Sequence, residues 1–551
     1  MNRPDNSPPP SIAAPDRRST RIAARLSTPD AGRRRWLVLA VLCASVFVVV
    51  LDGTIVNVAL PTLATELDAS TSELQWIVDA YVLVFAGLLM AAGSLGDRVG
   101  RKGLMQIGLV LFAAFSALAA WSDSAGELIG WRAAMGIGAA LMFPATLAIL
   151  VNVFTAPKER ATAIAVWAAT AGLAVALGPV TGGFLLEHFW WGSVFMINVP
   201  VIAVALAAIG RIVPTSRDPE IKRFDPVGTA LSIAGIGTLV WAVIEGPEHG
   251  WGSATSISAF ALATLLLVGF VAWEQHTDHP MLDVSVFSDM RFTAGSLAVT
   301  LAFFALFGFV FVVTQYFQFV RGYGTLEAGV RTVPFAVFTA STAPLAARLA
   351  ERIGTKVVVT GGLASMAIGF VIATTTQVDT SYLIIVLTMF FLGAGLGLVQ
   401  APATEAIMGS LPPAKAGVGS AANDTARELG GTLGVAIVGS VFSSIYASRL
   451  GDALAGTVVP RAATAIAEES VGAAAEVARQ AGDTAGPQAQ QFVQDAVDSA
   501  FIHGWHAGSW VSFAVVALGA LVSWRFLPAR AATDHPAERE PAPAPDLVVA
   551  D

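Results

Sequence analysis

Apolar blocks of roughly twenty residues alternate with short polar stretches along the whole chain. A helix rises about 1.5 Å per residue, so some twenty apolar residues cross a hydrocarbon core of ~30 Å. The pattern places helical spans near 36–59, 75–95, 103–121, 128–152, 162–186, 194–213, 227–244, 254–273, 294–319, 329–347, 357–376, 381–404, 418–446 and 504–527. Between the seventh and eighth, Glu245 to Gly252 leaves room only for a short turn. Between the thirteenth and fourteenth the chain makes a long excursion, roughly 447–503, rich in Ala, Glu, Gln and Val. Its stretch from Ala467-Glu468-Glu469-Ser470 to Arg479 reads either as an amphipathic hairpin at the outer surface or as a loose connector. The fold class is all-α integral membrane with 14 transmembrane helices.

Basic residues orient such a chain, because loops left in the cytoplasm are enriched in Lys and Arg. With fourteen spans and an inside N-terminus, 25 of the 32 basic residues fall on inner segments. Arg321, Arg331, Arg449, Arg461 and Arg479 fall outside, and Arg132 and Arg427 fall within spans. A span missed in the middle would put every later basic loop outside, so the bias supports both count and direction. The expectation is a multi-pass protein of the cytoplasmic membrane with both termini cytoplasmic. Residues 1–35 read as a disordered basic tail before an uncleaved first span, since the apolar block is too long for a signal peptide and no Ala-x-Ala site follows it. Residues 528–551 read as a second cytoplasmic tail.

Composition agrees: the chain is 55% hydrophobic and 13% charged, with a mean hydropathy of +0.67. The net charge of -8 is spread over loops and no basic patch is interleaved with aromatics. The expected partner is therefore the lipid bilayer and no nucleic acid. The one cysteine, Cys43, excludes an intramolecular disulfide framework. The seven histidines show no HxxxH spacing, and no metal site is expected.

Charged side chains inside spans are costly, at least ~2.5–3.5 kcal/mol each, and mark partners or water-filled cavities. Asp52 lies about 24 Å along the first span from its cytoplasmic end, and Arg132 lies one turn into span four, at similar depth. The pair reads either as a proton-coupling carboxylate set by an arginine, or as a permanent ion pair between two helices. In span two, Gln75, Trp76 and Asp79 share a face. A carboxylate beside an aromatic is a minimal site for a lipophilic cation; alternatively Trp76 anchors the interface and Asp79 borders the outer water. In span thirteen, Asp424 and Glu428 are spaced i,i+4 with Arg427 between them, and the arginine can neutralise only one. These acids are candidates for proton or cation binding, or for a charged cluster at the cytoplasmic mouth.

The stretch Gly93-Ser94-Leu95-Gly96-Asp97-Arg98-Val99-Gly100-Arg101-Lys102 lies between spans two and three, on the inside. Small residues there let helices approach, and the acid and bases can pair with neighbouring helix ends. In this place, the stretch resembles the signature loop of the major facilitator superfamily. Leu51-Asp52-Gly53-Thr54-Ile55-Val56-Asn57-Val58-Ala59-Leu60-Pro61 resembles the first-span motif of its fourteen-span drug:proton antiporters. Arg132 with Met135-Gly136-Ile137-Gly138-Ala139-Ala140 is similar to the span-four motif to which proton coupling is attributed in that family. Gly172 and Gly178-Pro179-Val180-Thr181-Gly182-Gly183 resemble the span-five motif of exporters. Multidrug pumps of the QacA/EmrB type are similar over about 36–527, through Trp76-Ile77-Val78-Asp79-Ala80-Tyr81, Lys158-Glu159-Arg160-Ala161-Thr162-Ala163, Pro280-Met281-Leu282-Asp283 and the long outer loop. In span thirteen Asn423-Asp424-Thr425-Ala426-Arg427-Glu428 departs from that type, which carries adjacent acids and no arginine there.

The resemblance implies two six-helix halves, 36–213 and 293–527, around a central cavity, with two linker spans in 214–292. It implies proton-coupled export of lipophilic, often cationic drugs, with Asp52 and Arg132 in coupling and Asp79, Trp76 and Tyr81 at substrate; Asp424 and Glu428 join them as substrate candidates on their own spacing. The alternatives are a dedicated exporter of one endogenous product, such as an antibiotic, lipid or siderophore, or a non-transporting membrane receptor. Phe303, Phe304, Phe307 and Phe311 would suit neutral lipophiles in such a cavity. A membrane-bound enzyme, which would need clustered His, Asp or Cys at the membrane face, is not expected. Gly393-Ala394-Gly395-Leu396-Gly397 reads as helix packing, because no strand precedes it and a nucleotide loop needs one. With no Walker sequence, the expected energy source is the proton gradient, with no cofactor.

Overall fold

The computed structural model describes residues 29–154, 156–215, 225–277, 280, 284–410, 416–457 and 459–528. Fourteen of its helices are long and apolar enough to cross a membrane. They are α1 (Pro29–Glu66), α2 (Thr71–Val99), α3 (Arg101–Ala119), α4 (Ala125–Val153), α5 (Pro157–His188), α6 (Asn198–Ile212, entered through a short turn at Ser193–Met196), α7 (Pro226–Ile244), α8 (Ala254–His276), α9 (Met290–Gln315), α10 (Thr325–Ile353), α11 (Thr355–Ala373), α12 (Tyr382–Gly409), α13 (Ala416–Leu454) and, last, α16 (Pro487–Phe526). With no water to satisfy backbone groups in a bilayer, closing every bond within the helix is what such segments require. Ends are marked by side-chain caps. Ser70 and Glu73 form a reciprocal capping box on α2, and Ser124, Asp225 and Ser253 cap α4, α7 and α8.

The long excursion is largely helical. α13 runs on to Leu454, α14 (Arg461–Glu469) and α15 (Val471–Ala485) follow, and α16 begins at Pro487, well before the expected 504. The excursion is packed and not a loose connector: Val471, Ala474 and Val477 are buried, the Tyr446 hydroxyl donates to the Ala467 carbonyl, and Thr71 donates to that of Glu469. α1 likewise begins at Pro29, inside the stretch read as a tail. The tails at 1–28 and 529–551 lie outside the described residues, as do Met281-Leu282-Asp283.

Two sets of six helices pack by the same scheme. In the first, α1 meets α5 and α6, α2 meets α4, and α3 meets α4 and α6. In the second, α9 meets α13 and α16, α10 meets α12, and α11 meets α12 and α16. The sets join where α5 meets α10 and α2 meets α13, again as a reciprocal pair. α7 and α8 pack on each other, and α7 lies against both α2 and α13 at the seam. α8 carries the exposed Ile257, Leu262, Leu265 and Val268, the surface a lipid-facing helix presents.

The repeat extends to the turns. α2 and α3 are separated only by Gly100, at φ +115°, and α10 and α11 only by Gly354, at φ +92°. A side chain is strained at such angles, so glycine ends one helix and starts the next in a single residue. The stretch expected as an inner loop is therefore helical from Gly93 to Val99.

Candidate functional site

Below, the tail face is the one at which α1 begins, and the distal face is its opposite. The Asp52 carboxylate and the Arg132 guanidinium are both completely buried and lie 2.5 Å apart, Arg132 Nη1 donating to Asp52 Oδ2. Arg132 Nε donates to the Ile77 carbonyl at 2.9 Å, and the guanidinium lies 4.3 Å from the Tyr81 ring centroid. Asn198 Nδ2 donates to Asp52 Oδ1 at 2.9 Å and to Ser116 Oγ at 3.0 Å, while Ser116 donates to the Phe195 carbonyl at 2.8 Å. Tyr81 donates to the Val49 carbonyl at 3.3 Å. One charge pair thus ties α1, α2, α4 and α6 together, with α3 reached through Ser116. Removing either partner from a dry interior strands the other charge, at a cost of about 3–5 kcal/mol. Arg132 Nη2 has no protein partner.

Asp79 and Trp76 lie on α2 at the seam with α13 and α7. Asp79 is completely buried and neither carboxylate oxygen has a hydrogen-bond partner. It does not border the distal water in this conformation. Gln75, one turn away, donates towards the Val435 and Ala436 carbonyls at 3.3 and 3.4 Å, joining α2 to α13. The Trp76 indole is engaged as well, donating to Glu245 Oε1 at 3.0 Å.

In α13, Arg427 forms no ion pair within 4 Å with Asp424 or Glu428. Its guanidinium lies over the Phe303 ring at 5.4 Å from the centroid, and its Nε has no partner. Arg427 thus rests on an aromatic face and makes no direct ion pair with either acid, while its charge still acts on both. Among the four phenylalanines, Phe303 and Phe307 stack and stay partly open, whereas Phe304 and Phe311 are buried in the second half.

The glycines divide by what they touch. Gly178 and Gly182 press against Thr54 and Ile55 of α1. A Cβ on Gly183 would lie 2.5 Å from the Thr325 carbonyl oxygen of α10. Pro179 presents its carbonyl to Gly329 of α10 in the same crossing. Gly172 faces open space. Gly96 is close to Leu104; the side chains of Asp97 and Arg98 and the surroundings of Gly93 lie outside the described set. Arg101 opens α3, and Lys102 beside it donates to the Gly210 and Val213 carbonyls at the end of α6. Gly393, Gly395 and Gly397 meet α10 or α11 backbone directly, a packing role. The halves meet near the distal face, where Gln318 donates to the Val58 carbonyl and Thr325 to that of Gly183.

Three features escaped the sequence reading. Asn198 is uncharged, and only charges within spans were weighed, although a buried amide left unpaired also costs about 1–3 kcal/mol. Glu245 looked like part of a turn. The run Glu351-Arg352-Ile353-Gly354-Thr355-Lys356 repeats Asp97-Arg98-Val99-Gly100-Arg101-Lys102 at the corresponding turn of the second half. Lys356 also reaches its half's last span, 4.9 Å from the Trp524 ring.

Comparison with known proteins matches this architecture. The Major Facilitator Superfamily profile matches residues 42–435, and the chain belongs to that superfamily. It is 39% identical over 460 residues to the multidrug efflux pump LfrA of Mycolicibacterium smegmatis, covering 84% of this chain and 90% of that one. It is 36% identical to the methyl viologen resistance protein SmvA of Salmonella typhimurium, over 85% and 93% of the two chains. Among solved structures, a bacterial homolog of the human lysosomal transporter Spinster, inward-facing and occupied, superposes with a TM-score of 0.62 at 16% identity. That alignment covers 90% of this chain and 97% of the other, and it is a likeness of fold.

Proposed function

We propose that this protein exports lipophilic, often cationic drugs across the cytoplasmic membrane, driven by protons moving inward, with both termini in the cytoplasm. The carrying observation is the Asp52–Arg132 pair. It is a single buried charge pair on which four helices of one half converge, with Asn198 on the free carboxylate oxygen. A proton on Asp52 would cancel its attraction for Arg132 and loosen the joint among α1, α4 and α6. That is the local change from which rocking of one half against the other can start. The relatives' names, multidrug efflux and methyl viologen resistance, support the substrate class. The orientation rests on the inner excess of Lys and Arg, and puts the distal face outside.

In this reading Asp79, sealed at the seam and without a partner, becomes the cation-binding carboxylate when the halves separate, with the Trp76 ring beside it. Tyr81 on the same helix and Asp424 and Glu428 on α13 complete the polar lining. Catalytic groups and cofactors play no part; the proton gradient is the energy source. The test is purified protein in vesicles with an imposed pH gradient. Asp52→Asn should abolish uphill export while downhill exchange survives, and full uphill export by that variant would sink the proposal.

A further inference from the structure

The two linker spans do more than join the halves. α7 ends at Glu245, whose backbone caps the helix by donating to the Trp241 carbonyl. The side chain is 19% exposed and accepts from Trp76 Nε1 at 3.0 Å through Oε1, while Oε2 lies 3.8 Å from His249 Nδ1. The end of α7 is fixed from the other side, because Ser440 of α13 donates to the Val243 carbonyl at 2.8 Å. Val240, Val243 and Ile244 form an apolar cluster with Ala436, against which Trp76 packs. Glu245 is thus a carboxylate brought by a linker span to the one indole lying a helical turn from Asp79. α2 enters from the distal face at Thr71, so Trp76 and Glu245 lie on the distal side of Asp79.

We infer that Glu245 is a charge-specificity residue, a second carboxylate that takes the cationic group of a substrate at Trp76 as it passes between Asp79 and the distal face. A carboxylate on the N–H edge holds the indole in one orientation and pushes electron density into the ring, which strengthens the face towards a cation. The same carboxylate places a negative charge beyond Asp79 on the way out. His249 is the one basic group paired with it among the described residues, and at 43% exposed it leaves the carboxylate charge largely unspent. The linker spans would then supply part of the substrate path. This inference rests on the reading of Asp79 and Trp76 given above.

The experiment compares Glu245→Gln with the parent and with Asp79→Asn in vesicles, using one monocationic and one neutral lipophilic substrate. Glutamine retains an acceptor for the Trp76 N–H and removes only the charge. The expected result is a rise in the half-saturating concentration of the monocation by roughly five- to tenfold, with the neutral substrate unchanged. That unchanged substrate shows in the same preparation that the variant is folded. No change for either substrate, or equal loss for both, overturns the inference. If Glu245→Gln alone loses discrimination, the Asp79 reading fails and Glu245 stands. If Asp79→Asn alone loses it, Asp79 stands and Glu245 falls.

Discussion

The two halves share one helix-packing scheme but fill it with different chemistry. In the first, the corresponding core of α1, α3, α4 and α6 holds Asp52, Arg132, Asn198 and Ser116, linked by hydrogen bonds and shut off from solvent. In the second, α9, α11 and α16 meet through rings: Phe309 against Phe370 and Trp505, with the Trp505 indole donating to the Ala373 carbonyl at 2.8 Å. A charge pair can be switched by one proton, whereas an aromatic cluster has nothing to titrate. On the proposed mechanism, energy coupling would belong to the first half, with the second as a counterpart to rock against. Both turns on the tail face keep the same glycine, so the difference lies in the cores and not in the frame.

The largest expected effect breaks the comparison directly. Asp52→Asn should lower pH-driven export in vesicles by about a hundredfold or more, since a fully buried carboxylate has no substitute nearby. Replacing Trp505 by Phe should leave the pH dependence of export unchanged, and a lost pH dependence there would return coupling to the second half. Next, Arg132→Leu should destabilise the protein in detergent by about 3–5 kcal/mol by stranding Asp52. The double variant with Asp52→Leu should recover most of that stability without recovering pH-driven export. A double variant as unstable as the single one would show that packing, not charge, holds the joint.

Energetics sharpen the picture further. One proton in for one monocation out moves no net charge, and a pH difference of one unit, ~1.4 kcal/mol, supports only about a tenfold gradient. With a second acid available at Asp79, more than one proton per monocation is expected, so a potential of about 100 mV should add ~2.3 kcal/mol per charge moved. Export rates that stay the same at fixed pH difference when the potential is clamped at zero and then at about −100 mV would refute this. The smallest effect is expected at Asn198→Ala, which removes one hydrogen bond from a charged acceptor, worth about 1.5–3 kcal/mol. It should shift the pH dependence of export while leaving its maximal rate within severalfold.

Much of this was legible from the chain alone. Apolar blocks fix span number because a bilayer demands about twenty residues per crossing and punishes charge within them. That same penalty made Asp52, Asp79, Arg132 and the α13 trio stand out before any contact was known. Most partners were a different matter. The Asp52–Arg132 pairing was legible from their similar depth, but that Arg427 turns to Phe303 follows from α9 crossing α13, and that Glu245 reaches Trp76 follows from α7 wedging against the seam. Asn198 was invisible because a neutral amide gives no charge signal, and only folding puts it on a carboxylate. The excursion at 447–503 stayed ambiguous because its short helices are amphipathic rather than apolar throughout, and only folding supplies the α13, α16 and α1 surfaces on which they are buried. Composition and periodicity act locally and are written in order along the chain, whereas the pairing of buried groups is a choice among distant helices. The energy of satisfying each polar atom in a dry interior makes that choice, and only the assembled structure contains it.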